Sequence, residues 1–225
     1  MSATTRSVTT ACVNAVLELL LPQRCAGCGS PDGPCCPACA RSLDGQQLFR
    51  HGSGTHALAR YDGEARRLVL AYKERGTRSL APVFGRALAH ALPQLPRARP
   101  DRDGVWWLVP APSRRSASRA RGGQHMLRVA RHCAEALAAR GAASAVAPAL
   151  VLAPGTRDAV GLGREKRVAN LAGNVRPRPA GLPPPGTPVV LLDDVVTTGA
   201  TVAACTRVLG AAGIAVSAAL TLTGA

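Results

Sequence analysis

Four apolar residues, Val189 to Leu192, run straight into two adjacent carboxylates, Asp193 and Asp194. Val195 and Val196 follow, then Thr197-Thr198-Gly199-Ala200-Thr201, and from Thr201 to Ala212 the pattern is helical. A short, fully apolar strand feeding a helix through a tight loop belongs to a parallel sheet covered on both faces. In such sheets ligands sit at the carboxyl ends of the strands. The amides of the loop and of the helix start suit a phosphate, the threonine hydroxyls add donors, and Gly199 lets backbone come close. Two acids beside a phosphate site can hold vicinal sugar hydroxyls, directly or through Mg²⁺ and its waters. A strand end carrying two solvated acids is the plainer alternative.

The rest of the chain alternates in the same way. Ala57–Tyr61 and Val105–Val109 read as strands, Gly63–Glu74, Leu80–Leu92 and Gln124–Arg140 as helices, and Ile214–Leu222 as a last strand. Ala149–Leu152 reads as a further strand, Gly163–Ala172 as a short polar helix, and Gly213 as the C-cap after the 201–212 helix. Asp44–Thr55 is polar and glycine-containing and reads as a linker; Pro93–Asp103 and Pro177–Pro188 are proline-rich loops. The expected fold class is α/β, a parallel sheet with helices on both faces, plus a small N-terminal module. The expected division is 1–45 for the N-terminal helix and module and 56–225 for the α/β domain. The apolar stretch Val8–Leu21 is interrupted by Asn14 and Glu18 and is too short to span a bilayer. The expectation is a soluble, cytoplasmic protein with no membrane span.

Five of eight cysteines lie between Cys25 and Cys39. Cys25-Ala26-Gly27-Cys28 and Cys36-Pro37-Ala38-Cys39 are two C-x-x-C knuckles separated by seven residues. Four thiolates on two tight turns suit tetrahedral Zn²⁺, and a closed shell of four makes the metal structural. Disulfides are the alternative, which a reducing compartment disfavours; a metal-free thiol cluster is another. Cys35 is a spare thiol beside the site, while Cys12, Cys133 and Cys205 read as small buried hydrophobes.

The net charge is +15, and only Lys73 and Lys166 among the 28 basic residues are lysines. Such a surplus favours polyanionic partners. Leu108-Val109-Pro110-Ala111-Pro112-Ser113-Arg114-Arg115 ends a predicted strand, and Arg114, Arg115, Arg119, Arg121, Arg128 and Arg131 follow without an intervening acid. Arginine offers bidentate geometry to phosphate oxygens, so this loop suits pyrophosphate or a nucleic-acid backbone. A solvated basic loop is the alternative.

The stretch from Val189 to Thr201 resembles the phosphoribosyl pyrophosphate signature of type I phosphoribosyltransferases: apolar strand, two acids, two mostly apolar residues, Thr-Thr-Gly-x-Thr. The chain as a whole resembles the ComF family, which includes the gluconate-associated GntX-like proteins. Val109-Pro110-Ala111-Pro112 with the arginines matches that family's Val-Pro-x-Pro and basic stretch. Arg121-Gly122-Gly123-Gln124-His125 stands at its Arg-Gly-Phe-Asn-Gln, with Gly123 and Gln124 in place of the Phe and Asn and His125 in place of the final Gln. Arg157-Asp158-Ala159-Val160-Gly161-Leu162 and Arg164 to Asn170 resemble its middle motif, and Tyr61-Asp62-Gly63 with Leu68 and Lys73 its entry strand and helix. The resemblance implies an N-terminal four-cysteine zinc module on Cys25, Cys28, Cys36 and Cys39. It also implies a site for phosphoribosyl pyrophosphate with Mg²⁺, made by Asp193, Asp194, Thr197, Thr198, Gly199, Ala200, Thr201, Pro110, Ala111, Arg114 and Arg115.

Two functions follow as expectations. One is a phosphoribosyltransferase, a pentosyl-transferring glycosyltransferase with an unnamed acceptor; its load would be orientation and charge stabilisation, and no single catalytic residue stands out. The other is a single-stranded DNA-handling protein of the natural-competence (DNA uptake) type that keeps the fold as a binding module. Aromatics are only 3 % of the chain, so stacking platforms for single strands are scarce. A regulator that senses the sugar phosphate without turnover is a third option.

Overall fold

The computed structural model describes residues 24–45, 48–52, 54–113, 124–153 and 173–225. The expected helix before Pro22, the arginines at 114, 115, 119 and 121, and the 157–170 motif lie outside them.

The main sheet has six strands: β1 (Phe49–His51), β2 (Thr55–Arg60), β3 (Trp106–Pro110), β4 (Ser144–Val146), β7 (Pro188–Val196) and β8 (Ala215–Gly224), in the order β1-β2-β8-β7-β3-β4. All neighbours pair in parallel except β1, which is antiparallel to β2. A separate antiparallel pair joins β5 (Leu150–Leu152) to β6 (Val175–Pro177). The helices are α1 (Pro37–Arg41), α2 (Gly63–Lys73), α3 (Ala81–Ala91), α4 (His125–Ala138) and α5 (Ala200–Ala211).

Alternation along the strands sorts the core into two layers. Leu108, Val190, Leu192, Leu220 and Leu222 face a cluster with Leu68, Phe84, Leu88, Met126 and Val129 from α2, α3 and α4. Val109, Val189, Leu191 and Ala219 face a second cluster with Val202, Cys205 and Leu209 from α5. Phe84 is fully buried, and such a side chain contributes about 2 to 3 kcal/mol of transfer free energy.

The presumed linker 44–55 carries β1, turned back on β2 through Gly52 and Gly54, both at positive φ; Phe49 is covered by the Arg60 guanidinium, 5.3 Å from its ring centroid. The strand read at Ala149–Leu152 is present as β5, in the small pair outside the main sheet. The sheet edge is instead β4, three half-exposed residues with no apolar alternation to mark them. The predicted C-cap holds: Gly213 has φ 77° just beyond α5.

The expected all-parallel sheet is thus a mixed, mostly parallel one. Its centre decides where a ligand can sit. β3 leaves through α4 to β4 on its outer side, whereas the neighbouring β7 leaves through α5 to β8 on the other side. The connections part at β3/β7, and the carboxyl ends of these two strands frame the crevice at which open α/β sheets bind ligands.

Candidate functional site

At this crevice β7 outruns β3. The last β3 pairing is Pro110 with Leu192, closed by the Ala111 amide donating to the Leu192 carbonyl at 2.8 Å. On its other side β7 stays paired with β8 as far as Val196 opposite Gly224. Among the described residues, Asp193 to Val196 therefore present an unpaired edge beside the Pro110-Ala111 strand end. Two separately predicted ligand segments, 110–111 and 193–194, are thereby brought together. Thr197, Thr198 and Gly199 continue from this edge into α5. Gly199 is in the left-handed region (φ 74°), and no described residue lies within 4 Å of where its Cβ would be. Gly199, at the N-cap of α5, has no side chain to cap the helix, although the Ala200 amide donates to Thr198 Oγ1 at 3.4 Å. First-turn amides of this kind are the donors that phosphate oxygens use.

The two acids face opposite ways, as strand alternation requires. Asp194 turns toward α2 and α4 and is 6 % exposed. Lys73, the last residue of α2, places its Nζ 3.1 Å from Oδ1 and 2.9 Å from Oδ2. His125, the first residue of α4, places Nε2 2.7 Å from Oδ2. The ionised carboxylate can only accept, so Nε2 carries the hydrogen. The main chain of His125 is fixed in turn by Tyr72, whose hydroxyl donates to its carbonyl at 2.8 Å. Thr223 Oγ1 donates to the Asp194 carbonyl at 3.4 Å. Burial alone would push the Asp194 carboxyl up, but Lys73 and His125 outweigh it and hold the group well below the usual carboxylate range. Burial would likewise lower the Lys73 ammonium; the charge and hydrogen bond of Asp194 raise it instead.

Asp193 lies on the α5 side, close enough to Cys205 for its charge to raise that thiol further beyond the effect of burial. Its Oδ1 accepts the Asp194 amide at 2.8 Å, and no cation among the described residues pairs with it. Burial first, and then the negative charge of Asp194, push its carboxyl up to about 7.

Lys73 and His125 belong to this site, although the sequence reading gave them no role in it. Lys73 carried a signal, as one of two lysines in an arginine-rich chain. His125 had only its place after the basic loop.

The second centre is the cysteine cluster. The Sγ atoms of Cys25, Cys28, Cys36 and Cys39 all lie within 4.8 Å of one another, and those of Cys28 and Cys36 are 3.6 Å apart. Four sulfurs around one zinc at about 2.3 Å stand roughly 3.8 Å apart, so the donor set fits a tetrahedral metal. The turns are built by backbone: the Gly29 amide donates to the Cys25 carbonyl at 2.8 Å, the Cys25 amide to the Ser30 carbonyl at 2.7 Å, and the Cys36 amide to Cys25 Sγ at 3.3 Å. Burial pushes the Cys25 thiol up, but the Cys36, Cys28 and Gly27 amides outweigh it and bring it down to about 6. Cys35 stands outside the cluster; burial, then the neighbouring cysteine sulfurs, push its thiol up to about 11. A Cβ on Gly27 would lie 2.7 Å from Cys39 Sγ, so only glycine fits there. Arg67 of α2 clasps the module by donating to the Gly27 carbonyl. Cys133 and Cys205 are buried, as read from the sequence.

Fold and sites define an α/β protein with a mostly parallel sheet, a crevice at the acid-bearing end of β7 where the Thr/Gly loop begins, and a four-cysteine centre able to hold a metal. No helix among the described residues is long and apolar enough to cross a membrane. No protein-family model matches the chain, and no curated protein matches it.

Proposed function

We propose that the chain binds phosphoribosyl pyrophosphate with Mg²⁺ at the β3/β7 crevice, as a ComF-like protein with a type I phosphoribosyltransferase domain. One observation carries this reading. The acid-bearing end of β7 and the loop Thr197–Thr201 open into the point of the sheet where the outgoing connections diverge. The loop amides and hydroxyls take the 5′-phosphate, and the acidic end of β7 takes the sugar hydroxyls. Pro110 and Ala111 form the facing wall, and Arg114 and Arg115, which follow in sequence, would meet the pyrophosphate. Mg²⁺ supplies charge neutralisation of the departing pyrophosphate. Transfer to an acceptor would then rest on orientation and electrostatics. Zinc on Cys25, Cys28, Cys36 and Cys39 is the structural metal of this reading.

Single-strand binding has less support. Trp106 and Trp107 are half-buried on opposite faces of β3, and the Trp107 indole donates to Asp101 Oδ2 at 2.7 Å. Neither is a free stacking platform.

Thermal shift separates the two functions. Phosphoribosyl pyrophosphate with MgCl₂ should raise Tm, and Thr197→Val with Thr198→Val should weaken that ligand at least about tenfold, the scale of one or two lost hydrogen bonds to a charged group. A shift produced by a short single-stranded DNA and not by the sugar phosphate would overturn the reading. Pyrophosphate release in the presence of a panel of bases tests turnover.

A further inference from the structure

We infer that the cysteine centre governs the crevice through α2. A metal on Cys25, Cys28, Cys36 and Cys39 holds that helix, by way of Arg67, where its last residues order the acid-bearing end of β7, so metal occupancy sets the affinity of the crevice. The inference rests on the phosphoribosyl pyrophosphate reading for the identity of the ligand only.

Gly27 lies between the first two thiols of the module and is wedged between two neighbours. A Cβ built on it would stand 2.7 Å from Cys39 Sγ, in the second knuckle, and 3.5 Å from Glu64 Cβ, in the first turn of α2. Its carbonyl accepts from Arg67 Nε, and Arg67 is steadied on the helix by Glu64, with Nη2 2.8 Å from Oε1. Ala65, Leu68 and Tyr72 of the same helix share a buried cluster with Cys25, Cys36 and Cys39. One turn of the module therefore meets both the sulfur shell and the helix. Four sulfurs drawn to one metal fix the two knuckles relative to each other. Without a common centre, the turn that Arg67 grips loses its backing.

The other end of α2 is committed to the crevice. Six residues after Arg67, about 9 Å along the axis, Lys73 places Nζ 3.1 and 2.9 Å from the two Asp194 oxygens. Its neighbour Tyr72 donates to the His125 carbonyl at 2.8 Å, and the two rings meet edge-to-face with centroids 6.1 Å apart. His125 in turn holds Asp194 at 2.7 Å. A helix of 11 residues shifts as a unit, and close-packed contacts switch between discrete arrangements instead of deforming smoothly. Two sites that bias one such element are energetically coupled. A loaded module thus preorganises the crevice and lowers the cost of ordering it around a ligand. Arg67 is a positioning residue, acting through the helix.

Calorimetric titration of the full chain with phosphoribosyl pyrophosphate and excess MgCl₂ tests the coupling. Zinc is measured on each sample, at a temperature where circular dichroism shows every sample folded. Wild type stripped by the zinc-selective chelator TPEN should bind at least about fivefold more weakly than the zinc-loaded chain, the low end for coupled sites. Zinc-loaded Arg67→Met should lose at least about threefold, the scale of one hydrogen bond, and zinc removal should cost it less than it costs wild type. Arg67→Lys, whose ammonium can still donate to the Gly27 carbonyl, should recover part of the loss. Arg66→Met removes the same charge from the same helix and should bind as wild type does.

The His125 imidazole gives a readout without ligand, by two-dimensional NMR assigned with His125→Gln. Its signals should move on zinc removal and, in zinc-loaded Arg67→Met, lie partway toward the stripped position. Those of His132, further along α4, should hold. Wild-type affinity in zinc-loaded Arg67→Met overturns the coupling, as do His125 signals indifferent to zinc or an equal loss in Arg66→Met. A lowered Tm with neither change makes Arg67 merely structural and overturns it too. A wild-type chain that binds no phosphoribosyl pyrophosphate overturns the proposed ligand, and the His125 signals then decide the coupling by themselves.

Discussion

Lys73 ends α2 one residue after Tyr72, and both side chains serve the same corner. Tyr72 fixes the main chain of His125, while Lys73 and His125 share Asp194. Three elements distant in sequence are thus tied at one carboxylate. Residues sharing a partner couple energetically, so Lys73→Met, Asp194→Asn and the double variant should be non-additive by roughly 1 to 3 kcal/mol in urea unfolding at pH 7. The pH dependence follows from the lowered Asp194 group. Its contribution is present above the unfolded carboxyl value and is lost as pH falls through the folded one. The gap in urea midpoint between wild type and Asp194→Asn should therefore be widest near pH 7 and close progressively at strongly acidic pH. A gap that widens on acidification would contradict the assignment.

Helix packing sets how close α2, α3 and α4 can bring these side chains to β7. The crossing of α3 and α4 hinges on Gly85, where a Cβ would stand 2.5 Å from His132 Cβ and 2.7 Å from the His132 backbone carbon. Backbone cannot yield as a flexible side chain can. Gly85→Ala should force the helices apart and cost about 1 to 3 kcal/mol, as overpacking does, despite the better helix propensity of alanine. Chemical unfolding measures the loss. A stabilised Gly85→Ala variant would mean that propensity wins over packing. Because α4 begins at His125, the same variant should weaken the site without touching it.

At the scale of the molecule the cysteine module shares the core of the α/β domain. Cys25, Cys36 and Cys39 are buried in the same cluster as Leu68, Tyr72 and Phe84, and Arg67 holds the Gly27 turn against α2. Metal lost from the module should therefore be felt by the whole fold. Cys36→Ser should lower both zinc content, from about one per chain, and Tm of the full chain. Cys35→Ser should change neither, because Cys35 lies outside the four-sulfur cluster. Elemental analysis beside a melting curve distinguishes the two, and a Cys35→Ser protein that loses metal would reassign the ligand set.

The strand, acid pair, Thr/Gly loop and helix around 189–201 were legible in the sequence because each is a local pattern: an apolar run, a turn-forming glycine, a helical period. The two knuckles were legible for the same reason, as four ligands within fifteen residues. β1 and β4 were not, since three-residue strands without a buried residue owe their existence to the neighbour they pair with, not to their own alternation. The different surroundings of Asp193 and Asp194 were half legible. Alternation alone sends them to opposite faces. Only the folded chain decided that one face would hold Lys73 from α2 and His125 from α4, because side chains 52 and 121 residues apart from their partners or each other meet through sheet order and helix packing, which no local pattern encodes.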